Sequence, residues 1–115
     1  MNVTWKIKPF KALSTTELYS LLQLRAEVFI VEQNCVYQDI DGKDTKALHL
    51  LGKCDGKIVA YARLFKSGDY FENASIGRVV IGADYRDKKW GHEMMQQAIK
   101  GIETHFNENK ITISA

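Results

Sequence analysis

One segment gathers residue types that can hold a polyanion. Ile76-Gly77-Arg78-Val79-Val80-Ile81 reads as an apolar strand, Gly82-Ala83-Asp84-Tyr85 as a tight connection, and Arg86-Asp87-Lys88-Lys89-Trp90-Gly91-His92 as the opening of a helix. The first N–H groups of a helix have no internal partner and point outward. Together with the macrodipole they make an anion site. Arg86, Lys88 and Lys89 add positive charge there, and Gly91 removes a Cβ from the path of a ligand. The chemistry expected is the cradling of a pyrophosphate. On the residues alone a second reading stays open, a solvated basic turn ahead of an amphipathic helix. Neither GxxxxGK[ST] nor a GxGxxG after a strand occurs.

Four other positions could do chemistry. Arg63 and Arg78 lie within apolar strands, where an unpaired charge is costly. They either pair structurally, with Glu32 or Asp39, or orient an acceptor carboxylate through a bidentate contact. His49, between Leu48 and Leu50, is either a satisfied structural histidine or a general base. Glu32, after the first helix, is a further candidate base. The acidic run Asp39-Ile40-Asp41-Gly42-Lys43-Asp44 superficially suggests calcium. An EF-hand loop needs its glycine sixth and a glutamate twelfth. Here Gly42 is fourth and Leu50 is twelfth, so no metal site is expected.

The elements that must position these residues follow from periodicity. Val3, Trp5 and Ile7 alternate with polar residues as a first strand that Pro9 ends. Ser14 and Glu17 form a capping box for a helix from Thr15 to Val31, and residues 34–46 form a polar loop. Strands Leu48 to Cys54 and Lys57 to Phe65 flank Asp55-Gly56, a type I′ hairpin signal. Strand Ala74 to Ile81 precedes a helix with Trp90, Met94, Ala98, Ile99, Ile102 and Phe106 on one face. A last strand opens at Lys110, parallel to the one before the helix and adjacent to Val79–Ile81. The fold class is α/β in the α+β sense: a mixed, mostly antiparallel sheet flanked by helices, with one βαβ unit.

Composition is that of a single globular domain over residues 1–115, with 45% apolar and 26% charged residues. A net charge of +2 argues against nucleic acid or an anionic membrane as the main partner. No apolar run spans a bilayer and no secretory signal is visible. Cys35 and Cys54 are isolated, as in a reduced cytoplasmic protein.

The basic segment also resembles the fingerprint of the GNAT superfamily of N-acetyltransferases, [QR]-x-x-G-x-[GA] at a helix start. Arg86 and Gly91 match its first and last positions, and Lys89 replaces its middle glycine. Residues 21–35, 37–42, 59–64 and 76–79 are similar to the ElaA-like branch of that superfamily. The resemblance implies acetyl-CoA as acyl donor, with its pantetheine arm along the main chain of Val79, Val80 and Ile81. It places the phosphates at Arg86, Asp87, Lys88, Lys89, Trp90, Gly91 and His92. It makes the Asp39 loop a wall of the acceptor site, with Arg63, Arg78 and Asp39 facing the substrate.

The implied reaction is direct attack of a small-molecule or peptide amine on the thioester, with no metal. A lysine-type amine has a pKa near 10.4, so roughly one molecule in 2,500 is neutral at pH 7. Glu32, His49 or a water chain removes the proton, and a main-chain N–H at Val80 stabilises the oxyanion by roughly 3 kcal/mol. In the superfamily the strand at Lys110 is followed by a helix carrying the acidic tyrosine, and by further strands. The chain is therefore expected to stop before the fold is complete, to associate with a second copy, and to be poorly active as a monomer. The competing reading is a non-catalytic acyl-CoA-binding or assembly module.

Overall fold

The computed structural model describes residues 2–114. Five strands form one sheet in the order β1-β2-β3-β4-β5: β1 Thr4–Pro9, β2 Leu48–Cys54, β3 Lys57–Phe65, β4 Ala74–Ile81 and β5 Ile111–Ile113. The first four run antiparallel to their neighbours, and β5 runs parallel to β4. The β2–β3 turn has Asp55 at φ 52° and Gly56 at φ 78°, the two positive values that a type I′ turn requires.

Helix α1, Thr15–Arg25, covers one face of the sheet. Its capping box forms: the Ser14 hydroxyl accepts from the Glu17 N–H, and the Glu17 carboxylate accepts from the Ser14 N–H. Leu21, Leu24 and Val28 pack on Leu51, Ile58, Tyr61 and Val80. Helix α2, Gly91–Phe106, covers the opposite face, with Met94, Ala98 and Ile102 on Leu50, Ala62, Leu64 and Ile76. Ile99, expected on that buried face, is 38% exposed. Gly101 takes the inner position instead, because a Cβ there would meet Ile7 Cδ1 at 2.4 Å.

Two departures from the expected fold shape the site. The first helix continues beyond Arg25 in a wider, π-type winding over Ala26–Glu32. Such insertions are rare and recur at functional sites. The second departure concerns β5. It pairs with Ala74, Ser75 and Ile76, at the start of β4, rather than with Val79–Ile81. β4 also carries a bulge: Tyr61 pairs with Val80 and Arg63 with Gly77, so Ala62 faces two residues, Arg78 and Val79. Arg78 has φ 50°. Bulges bend the bulged strand and increase its twist, and beyond this one β4 has no partner on the β5 side among the described residues.

Candidate functional site

The open edge of β4 has a defined set of free backbone groups. Gly82 N–H donates to Val59 C=O at 2.8 Å, which makes Ala60–Ile81 a pair that exchanges no bonds. The next pair, Tyr61–Val80, is then the exchanging one. Val80 N–H thus points at Tyr61, inside the sheet, and cannot serve as the oxyanion donor expected of it. Because a trans peptide places its C=O and N–H on opposite sides, Val79 C=O and Ile81 N–H face the open edge. Ile81 C=O faces it too and accepts from Arg86 Nε at 3.1 Å. Val79 lies in the bulge, between the paired residues Gly77 and Val80.

Helix α2 starts where this edge ends: a Cβ built on Gly91 would lie 3.9 Å from Ile81 Cδ1 and near nothing else. No side chain caps α2, so its first N–H groups have no partner of their own. The approach is a short 3-10 turn, Ala83–Lys88, that leaves through Lys89 at φ 61°. This is the left-handed geometry that glycine adopts without strain, and it explains the glycine at this place in the fingerprint. Asp87, Lys88, Lys89 and His92 are exposed around the helix start. Trp90 is not: it is 8% exposed, packed with Cys54 and Val59 and stacked on Tyr85, so only its main chain can meet a ligand.

Arg86 does not stand free beside the helix start. Its guanidinium holds Glu32 bidentately, Nη1 to Oε2 at 2.8 Å and Nη2 to Oε1 at 3.1 Å. The two candidate residues, one for phosphate and one for base, are therefore partners, and the pair ties the π-wound end of the first helix to the cradle. The hydrogen bond to Glu32 raises the Arg86 pKa further above its ordinary value.

His49 is fully buried, with Nδ1 2.6 Å from Tyr61 Oη and Nε2 2.8 Å from Asp44 C=O. Burial lowers its pKa and favours the neutral ring. Both ring nitrogens are occupied, so of the two readings His49 takes the structural one.

Beneath the 34–46 loop lies a network of three arginines and three aspartates. Arg25 donates from Nε to Asp39 at 2.9 Å and from Nη1 to Asp44 at 2.8 Å. Arg63 pairs with Asp41 at 2.8 Å and Asp44 at 3.0 Å, rather than with Glu32 or Asp39. Arg78 donates to Asp39 at 2.8 Å and lies 3.4 Å from Asp41. Burial works to raise the Asp41 pKa, but the Arg63 hydrogen bonds, a Lys43 N–H and the nearby arginines bring it down to about 2. Asp39 and Arg63 are thus buried and paired within this network. Sequence reasoning misses Arg25, although its spacing from Leu21 sets a charge on the apolar face of α1.

A pocket of about 350 Å³ opens beside the bulge, lined by Phe29, Gln33, Tyr37, Arg78 and Val79. The π winding, the loop and the bulge each contribute to it. Burial, first, and then the charge of Asp39 raise the Tyr37 pKa above its ordinary value. The whole arrangement offers an edge with main-chain donors and acceptors, a helix N-terminus at one end and a pocket at the other.

Known proteins share this fold. The acetyltransferase (GNAT) family profile matches residues 15–113. Protein ElaA of Escherichia coli is 40% identical over 115 residues, covering 98% of this chain and 75% of ElaA. The crystal structure of ElaA superposes with a TM-score of 0.92, covering 99% of this chain and 78% of that one. An acyl-CoA N-acyltransferase from Pseudomonas aeruginosa also gives 0.92, at 38% identity, covering 99% of this chain and 80% of that one. A predicted acetyltransferase from Clostridium acetobutylicum, crystallised with acetyl-CoA, shares the fold at a TM-score of 0.68 and 14% identity, covering 99% of this chain and 81% of that one.

Proposed function

The chain belongs to the acetyltransferase (GNAT) family, and from that premise we propose that it transfers an acetyl group from acetyl-CoA to an amine by direct attack. The observation that carries the reading is the continuity of the open β4 edge with the uncapped start of α2. An acyl-CoA presents a diphosphate, then an arm with two amides, then a thioester. The α2 N–H groups from Gly91 onward, with Lys88 and Lys89, suit the diphosphate. Ile81 N–H and Val79 C=O suit the amides of the arm, as an added strand would. The thioester then reaches the bulge, where the main-chain N–H of Val79 takes the role of oxyanion donor in place of Val80.

The amine enters through the pocket beside Val79. Its proton leaves to a water chain or to Glu32 once released from Arg86; the buried His49 is out of reach. Arg86 contributes through its main chain and through the clasp on Glu32. The test is calorimetry with acetyl-CoA, followed by chromatographic detection of free CoA with a panel of amines. Binding with turnover supports the enzyme. Binding without turnover of any amine favours a non-catalytic acyl-CoA-binding module. Absence of binding removes both.

A further inference from the structure

The three arginines of the buried network are not equivalent. The side chains of Arg25 and Arg63 are 0% and 2% exposed, whereas that of Arg78 is 20% exposed and lines the pocket beside Val79. A guanidinium has five N–H donors. Arg78 spends Nε on Asp39 Oδ1, and Nη2 on Asp39 C=O at 3.2 Å and Asp41 Oδ2 at 3.4 Å. Its Nη1 donates to no protein group among the described residues, and the face of the guanidinium rests 5.7 Å from the Tyr37 ring centroid. The group is thus held on one edge and one face, with the remaining edge available.

The carboxylates of the network leave no vacancy for a cation. Asp39, Asp41 and Asp44 each accept from two of the three arginines. Arg78 also adopts φ 50° within the bulge, a left-handed conformation that strains a non-glycine residue. A strained residue persists where its surroundings dictate it, often at a ligand clamp.

We propose that Arg78 Nη1 binds an anionic group on the acceptor, so that the acceptor class is amines that carry a carboxylate, such as amino acids or peptides, and not polyamines or aminosugars. This rests on the reading of the pocket as the acceptor end of an acetyltransferase. Arg78 is a specificity-determining residue: it fixes the carboxylate while the amine lies toward Val79.

Three acetylated probes test it: N-acetylglycine, N-acetylglycinamide and N-acetylputrescine, titrated by NMR into the CoA-saturated protein. A charge-assisted hydrogen bond gives roughly a 10- to 100-fold difference in affinity. The carboxylate probe is expected to bind tighter than its amide by that factor, the cationic probe weakest of all. In Arg78→Gln the carboxylate and the amide should bind alike, with CoA affinity unchanged. The wild-type ratio needs no variant, so a misfolded Arg78→Gln does not void the test. Equal binding of carboxylate and amide, absence of carboxylate binding, or a preference that survives in a folded Arg78→Gln overturns the proposal. Failure of CoA itself to bind strikes the acetyltransferase reading instead; the same titrations on the free protein then still decide whether Arg78 selects an anion.

Discussion

Replacing Gly91 by aspartate should stabilise the protein and weaken its affinity for CoA. The protein does not need glycine here. Gly91 has no positive φ, and its built Cβ meets only Ile81 Cδ1, at 3.9 Å, an ordinary contact. Removing glycine from a helix is worth roughly 0.5–1 kcal/mol, and a carboxylate in the first turn adds roughly 0.3–1 kcal/mol by facing the macrodipole. The sum is a gain of about 1 kcal/mol, or a rise of several degrees in Tm. The carboxylate then occupies the anion site that the diphosphate needs. Like charges about 4 Å apart cost between about 1 kcal/mol in water and about 4 kcal/mol near a protein surface. CoA affinity should fall by between about fivefold and several hundredfold. Gly91→Asn separates bulk from charge, and Gly91→Ala, whose methyl fits the observed space, should bind CoA normally. Scanning calorimetry and titration calorimetry read both halves. An aspartate variant that binds CoA like the wild type would refute the placement of the phosphates.

Three further outcomes follow from the packing. Asp44→Ala deprives Arg25 Nη1 and Arg63 Nη1 of a shared buried acceptor and should cost about 3–5 kcal/mol in urea unfolding; a loss under about 1 kcal/mol would mean the network is solvated. Glu17, against the effect of its burial, is held down to about 2 by Lys53, Lys8 and the Ser14 N–H, and Asp41 to about 2 by Arg63. Folded pKa values below the unfolded ones give stability that is present above roughly pH 4.5 and lost as pH falls toward 2, on the order of 1 kcal/mol for each group after screening. Urea midpoints should therefore be flat above pH 5 and decline below it, with a smaller decline in Glu17→Gln. Lys89→Gly relieves φ 61° and should raise stability by up to about 1 kcal/mol; a destabilised variant would mean the lysine makes a contact that offsets the strain.

The parts of the fold written in local pattern were legible in the sequence. The bounds of β2, β3 and β4, the Asp55-Gly56 turn and the Ser14–Glu17 box rest on alternation, turn chemistry and capping, which neighbours in sequence decide. The bulge at Arg78 was not, because it depends on how β4 registers against β3, and nothing in Gly77-Arg78-Val79 announces a positive φ at an arginine. The register beyond that bulge turned Val80 N–H inward. The pairings of charges were likewise decided by tertiary position. Arg78 takes Asp39, as its place in an apolar strand suggests, while Arg63 takes Asp41 and Asp44, and Glu32 goes to Arg86. His49 illustrates the same limit: its strand position was clear, but its seal between Tyr61 and the Asp44 carbonyl comes from the loop folding over it.

Everything proposed for the site requires that an acyl-CoA lie along the open β4 edge and end at the start of α2. Amide NMR with added acetyl-CoA measures this residue by residue. Shifts and new exchange protection are expected at Val79, Ile81 and the first turn of α2 from Gly91, with Val80 already protected in the free protein. A response confined to the separate pocket between Ser20–Glu27 and Gly82–Tyr85, or none at all, would contradict it.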